Sequence, residues 1–293
     1  MANSDSKEKI LGFAYGILGA ITYGMILIFT KLAYQAGADT FSLLRDRFGL
    51  SALLLWGYYF LFLKRKISLN IRTGMIGLTL GAMTYGTMVL AYFYALHFIS
   101  ASLTALILYL APTITTLLAK IFLKESITLK KAGALLLPFL GASLIIGPHW
   151  ETLDSRGFIL AFTAVFLSSF YIIILQKILK IASPQIMSIL IITGAAIFYF
   201  CFRSPFTFLS QITRPGISIP FFLLVFISTI PPIFLSISAI EKIGGVRTIM
   251  LSPLDPLTTL VAAYFILGER LTLPQILGGC LIMIGVFLVY KIK

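Results

Sequence analysis

The sequence predicts an all-α membrane protein: ten transmembrane helices arranged as two inverted five-helix repeats, with both termini cytoplasmic. Three observations predict it. The composition is too apolar for a soluble domain, ten apolar stretches are separated by short charged connections, and a segment of the first half aligns on the second.

Of the 293 residues, 59% are hydrophobic and only 11% are charged. A soluble domain of this length must cover itself with polar groups, and this chain has too few. Lipid is therefore the expected solvent for most of it. The net charge of +13 does not point to nucleic acid. Lys and Arg sit in short clusters between apolar runs, where they orient a membrane protein, and no basic face is interleaved with aromatics. Cys201 and Cys280 lie inside apolar runs and read as small buried hydrophobes rather than a disulfide. His97 and His149 have no Cys, Asp or Glu at ligand spacing, so neither a metal nor a cofactor is expected. The run after Lys9 is too long for a cleaved signal and reads as a retained first helix. The short alternating strands of an outer-membrane barrel are not visible.

Punctuation by charge, Pro and Gly gives spans near 10–34, 41–63, 73–96, 100–123, 128–147, 156–178, 184–202, 216–239, 246–267 and 272–290. Short connections leave no room for a separate soluble domain. With the N-terminus inside, the cytoplasmic segments hold Lys7, Lys9, Lys64, Arg65, Lys66, Arg72, Lys124, Lys130 and Lys131, and then Lys177, Lys180, Lys242, Arg247, Lys291 and Lys293. The opposite side keeps Arg156, Arg203, Arg214 and Arg270, accompanied by Asp39, Glu151, Asp154 and Glu269. That asymmetry sets both termini of this multi-pass chain in the cytoplasm.

Ala95–Ile146 laid over Ala239–Tyr290 without gaps gives roughly one identity in four. Pro112 falls on Pro256, Glu125 on Glu269, Thr128-Leu129 on Thr272-Leu273 and Gly141 on Gly285. Gly12-Phe13 and Arg156-Gly157-Phe158 open the two halves in a similar way. The boundary falls between 1–150 and 151–293. Five spans per half is odd, so the second half must sit upside down relative to the first, an arrangement suited to alternating access around a central site.

These residues also carry a family resemblance that covers essentially the whole chain. In the first half it rests on Arg47-Phe48, Ala95-Leu96, Ser100-Ala101, Pro112 and Lys124-Glu125-Ser126-Ile127-Thr128. In the second it rests on Asp255-Pro256, Gly268-Glu269-Arg270-Leu271-Thr272, and Gln275 followed by Gly278. The sequence resembles the drug/metabolite transporter (DMT) superfamily, specifically the ten-helix EamA-like exporters. The resemblance implies a carrier of the cytoplasmic membrane, often an exporter of amino acids or related metabolites. Many relatives have Glu before the ninth-span Pro; here the shorter Asp255 keeps the charge and changes its reach.

An ionisable group at mid-bilayer costs about 2.5–3.5 kcal/mol on insertion scales, so each one needs a reason. Lys31 ends the first span, Arg45, Asp46 and Arg47 open the second, and Asp255 lies deep in the ninth. Three consecutive residues cannot share one helix face. Part of the triplet is expected to form an ion pair or to snorkel, with Arg47 and Lys31 lining the pathway as a cationic rim for a carboxylate or phosphate. Thr248, Ser252, Asp255 and Thr259 fall at i, i+4, i+7 and i+11, a polar stripe that must face a cavity or another helix. Asp255 is the coupling candidate: it could hold a substrate amine or a driving proton, against the alternative of a packing ion pair with Lys31 or Arg47.

Tyr85 and Tyr92 share a face of the third span, Ser168 and Tyr171 a face of the sixth, and Ser228, Pro232 and Ser236 a face of the eighth; these complete the candidate substrate wall, with interhelical packing as the plainer role. Pro231 and Pro232 should kink the eighth span, and Pro253 and Pro256 the ninth, as hinges or gates. Glu125 and Glu269 read as structural, with Thr128 and Thr272 capping the following helices. The stripes Gly12, Gly16 and Gly19, and Gly77 and Gly81, read as close helix contacts inside a monomer.

The expected activity is secondary transport of a small solute by a protein without a catalytic site, with protons as a candidate coupling ion. Proton-coupled efflux of cationic drugs is the runner-up. A lipid-modifying membrane enzyme would need a nucleophile with a base, paired carboxylates or a metal cluster, and none is visible. A channel would more often show rings of like residues in an oligomer. No phosphate-binding Gly-rich loop suggests ATP drive.

Overall fold

The computed structural model describes residues 2–63, 70–95, 97–99, 104, 107–126, 128–146, 154–202, 205–210, 212–267 and 270–291, and among them there is no strand. Several residues named above, including Leu96, Ser100, Ala101, His149, Glu151, Arg203, Gly268 and Glu269, lie outside the described residues.

The chain opens with α1 (Ala2–Gln35) and α2 (Thr40–Tyr58), which runs on as a π-helix over Tyr59–Leu63. Next come α3 (Ile71–Thr79), a π-helical stretch Leu80–Gly86, and α4 (Thr87–Ala95), which together form one rod. α5 (Ala111–Phe122), α6 (Leu129–Ile146), α7 (Ser155–Ile178) and α8 (Pro184–Phe202) follow. The rest is α9 (Ser218–Phe226), α10 (Ile230–Ile243), α11 (Gly245–Ile249), α12 (Leu254–Leu267) and α13 (Leu273–Lys291).

Among the described residues, seven stretches are long and apolar enough to cross a membrane: Lys7–Gln35, Ile71–Ala95, Ser155–Ile178, Pro184–Phe202, Ser218–Ile243, Gly245–Ile266 and Leu273–Lys291. Ala111–Phe122 and Lys131–Ile145 are apolar but shorter. Large side chains such as Leu61, Phe62, Met75, Ile121 and Phe265 point outward, as lipid-facing residues should. Cys201 and Cys280 are also on the outside, not buried as their sequence context suggested. An apolar run that faces lipid has no reason to turn a small sulfur side chain inward.

Polar caps fix several helix starts. Asp39 accepts from Ser42 N at the head of α2, and Asp154 accepts from Arg156 N at the head of α7. The Arg156 side chain also bonds the Asp154 carboxylate and holds it below the usual carboxylate range. Thr128 Oγ1 accepts from Lys131 N, the cap anticipated for α6, whereas at the head of α13 the bond runs from Thr272 N to Gln275 Oε1, so the glutamine side chain serves the threonine's backbone.

The prolines expected to kink the last third instead interrupt it. α9 stops at Phe226 and α10 restarts at Ile230, with Pro231 and Pro232 in its first turn. The break therefore lies in Ile227–Thr229, just before the prolines, because a proline fits the first turn, where its missing N–H costs nothing. Pro253 closes the turn between α11 and α12, and Pro256 stands in the first turn of α12.

Close helix contacts are made through glycines. A Cβ on Gly12 would meet Lys242 and Ile243 and one on Gly19 would meet Ser236, so α1 lies tight against α10, while one on Gly16 would meet Leu251 in the turn after α11. Gly77 and Gly81 take Leu190 and Ile191 of α8 in the same way. In the α6–α13 seam, Gly141 faces Gly278 and Ile282, and Gly285 faces Pro138. The remaining principal contacts pair α1 with α12, α2 with α8, α4 with α7 and α5 with α7.

Candidate functional site

A cavity of about 890 Å³ runs between α1, the α3–α4 rod, α7, α10, α11 and α12. All seven candidate substrate residues line it: Lys31, Arg47, Tyr85, Tyr92, Tyr171, Ser252 and Asp255. Ser168, Ser236 and Thr248 join them, whereas Ser228 and Pro232 do not reach it. The turn at Met250–Pro253 breaks the ninth-span stripe as a continuous helix, yet Thr248, Ser252 and Asp255 still face inward.

The consecutive charges of α2 divide as helix geometry requires. Arg45 and Asp46 form an ion pair, with Nη2 2.7 Å from Oδ1, and both side chains are sealed from solvent. Arg45 also donates to the hydroxyl and carbonyl oxygens of Thr207, at 2.6 Å each. One residue further on, Arg47 turns to the cavity. Its Nε donates to Thr229 Oγ1 at 2.5 Å and its Nη2 to Ser228 O at 3.2 Å, so it anchors on the interruption between α9 and α10. Opening that helix leaves carbonyls without their usual partners, and a guanidinium fork supplies the missing donors.

Asp255 sits where α12 crosses α1. A Cβ on Gly24 would meet Asp255 O and Thr258, so only glycine lets the two helices approach this closely. Thr259 fastens the crossing, donating to Gly24 O at 2.7 Å and to Asp255 O at 3.0 Å. Its hydroxyl is spent there, which takes the last member of the stripe out of the cavity wall. Asp255 Oδ1 is buried with no hydrogen-bond partner, and none of the ion pairs among the described residues includes Asp255. A buried carboxylate in that condition is costly unless a proton or a cation comes to it.

The two ends of the cavity differ. Lys31, Tyr34 and Gln35, at the C-terminal end of α1, are exposed and form its mouth. Beyond Gly16 and Ile240 the helices are in close contact. There α1 packs on Lys242 and Ile243, Lys242 pairs with Glu8, and Gln176 of α7 links two elements. Gln176 Nε2 donates to Glu125 Oε1 at 3.3 Å, and its Oε1 accepts from Gly245 N at 2.7 Å. Glu125 also pairs with Lys131 at 3.3 Å, in keeping with a structural role.

Sequence reasoning missed Tyr23, Thr30 and Tyr34, which share the α1 wall with Lys31. Tyr23 of α1 and Tyr85 of the α3–α4 rod both line the cavity. The signal was present: Gly16, Ala20, Tyr23, Leu27, Thr30 and Tyr34 recur at spacings of three and four, one face of a helix.

The EamA-like transporter family model matches the chain twice, over residues 10–147 and 155–291. An uncharacterized transporter of Archaeoglobus fulgidus is 26% identical over 286 residues, covering 96% of each chain. The uncharacterized transporter YyaM of Bacillus subtilis is 27% identical over 203 residues, 67% of this chain and 66% of its own. A crystal structure described only as that of a protein shares the fold, with a TM-score of 0.76 at 14% identity, over 97% of this chain and 96% of its own. With both matched segments together spanning almost every residue, the chain belongs to the EamA-like transporter family of the drug/metabolite transporter superfamily.

Proposed function

We propose that the protein is a ten-span secondary carrier which exports amino acids or similar small metabolites by alternating access. It works as a monomer in the cytoplasmic membrane, with residues 1–150 and 151–293 as inverted repeats and both termini inside. The observation that carries the functional reading is the cavity. It combines two cationic side chains, Lys31 and Arg47, with a carboxylate, Asp255, that has an oxygen left without a partner. Such a lining suits a solute bearing both an acid and an amine, and it gives a driving proton a place to reside.

The inverted-repeat reading is supported by the α6–α13 seam. The alignment sets Gly141 on Gly285 and therefore Pro138 on Ile282. The contacts are Gly141 with Ile282 and Gly285 with Pro138, so exchanging the halves returns the same pairs, as a two-fold axis through the seam would require. Exchange also turns the pairing of α1 with α10 into that of α7 with the α3–α4 rod, and α1–α12 into α7–α5; both are present. For the termini, Lys9 lies 5.9 Å from the ring of Tyr290, so the two ends of the chain share a side.

The test is flux of a labelled amino-acid panel through protein reconstituted in liposomes, with and without a pH gradient. Gradient-dependent flux that disappears in Asp255→Asn is the expected result; absence of flux for every amino acid would overturn the substrate assignment. One observation favours a second reading. Tyr23, Tyr85, Tyr92 and Tyr171 line the same cavity as the carboxylate, and an aromatic wall of this kind would also receive an organic cation, so proton-coupled cation efflux is the alternative tested by adding cationic dyes to the panel.

A further inference from the structure

Thr229 lies outside the cavity, in the turn between α9 and α10, and is fully buried. Its hydroxyl has two partners. It donates to Leu224 O at 2.6 Å, satisfying a carbonyl that α9 leaves open at its last turn, and it accepts from Arg47 Nε at 2.5 Å. With Nη2 on Ser228 O, the side edge of the Arg47 guanidinium is committed to this turn. Nε and Nη2 share that edge, while Nη1 and the second proton of Nη2 form the other. Arg47 is only 4% exposed yet lines the cavity, so its remaining edge is what a solute can meet.

We infer that Thr229 is a positioning residue: it clamps the side edge of Arg47 so that the end-on edge presents two parallel N–H donors to a substrate carboxylate. This rests on the carrier reading above and extends it to a specificity determinant. The clamp supplies orientation rather than charge. Without it the guanidinium keeps its charge and can swing, and a two-point grip on a planar carboxylate becomes a one-point contact. A lysine at position 47 could not serve both sides, since its single ammonium has no second edge.

Two measurements test it, on full-length protein carrying Thr229→Val or Thr229→Ser, with Thr229→Ala as a second hydroxyl-free variant should valine disturb the turn. The first needs no transport: phenylglyoxal labelling of Arg47 in detergent, followed by peptide mass spectrometry. Freed from its clamp, Arg47 should label several-fold faster in the valine and alanine variants and at the wild-type rate in the serine variant; unchanged labelling in both hydroxyl-free variants overturns the proposal. The second compares flux of the best-transported amino acid with that of its carboxamide. Losing one charged-group hydrogen bond should raise the half-saturation concentration of the acid about tenfold in Thr229→Val. The carboxamide should move little, and Thr229→Ser should restore the acid. Equal weakening of acid and carboxamide would mean a merely structural role and overturn the proposal. If wild-type protein moves no amino acid, the carrier assignment falls while labelling still decides whether Thr229 orients Arg47.

Discussion

Asp255 and Ala111 occupy aligned positions, each directly before a proline, Pro256 or Pro112, and each where its helix crosses another. At Ala111, α5 meets α7 in a dry contact: Ala111 is 4% exposed, and Ser169 donates to its carbonyl at 3.4 Å and to Val165 O at 2.9 Å. At Asp255, α12 meets α1 across a bare glycine, Thr259 does the fastening, and the carboxylate is left over, facing the cavity. The same kind of crossing is built twice, once to be closed and once to carry a charge.

Four substitutions would break or sharpen that contrast, measured first as thermal unfolding of the detergent-solubilised protein. The largest effect is expected for Ala111→Asp, which buries an uncompensated charge in the dry crossing; a loss of about 3 kcal/mol or more should remove the folded peak from size-exclusion chromatography. Gly24→Val forces α1 and α12 apart against Asp255 O and Thr258, and should cost about 1–3 kcal/mol. Thr259→Val deletes one hydroxyl that serves two carbonyls and should cost about 1 kcal/mol, with flux retained. Asp255→Ala should change stability least, by less than about 1 kcal/mol and in the stabilising direction if anything, because the oxygen it removes has no partner. The same variant should abolish gradient-driven flux. If Asp255→Ala unfolds the protein instead, the acid belongs to the scaffold and the contrast with Ala111 collapses.

Much of this was legible in the sequence for physical reasons. Lipid demands long apolar helices, so Lys7–Gln35 or Leu273–Lys291 could be recognised from composition alone. Buried charge is expensive, so Arg47 and Asp255 announced themselves as residues with a task. The rest depended on partners distant in sequence. That Arg45 would reach Thr207 while Arg47 took Thr229 follows from where Thr207 and Thr229 pack against α2, which no local pattern encodes. The interruptions were placed at the prolines rather than ahead of them, because a proline marks the start of a helix as readily as its kink. Tyr23 and Tyr34 were passed over because one tyrosine in an apolar run looks like another until the facing helix is known.

The contacts beyond Gly16 and Ile240 respond differently to salt. Glu8 is well exposed, so its attraction to Lys242 fades as counterions gather over a Debye length of about 8 Å at physiological ionic strength. The contact of Gln176 with Gly245 N is between neutral dipoles, partly buried, and nearly blind to the ionic medium. Raising the ionic strength should therefore loosen the Glu8–Lys242 pair and leave the Gln176–Gly245 contact in place.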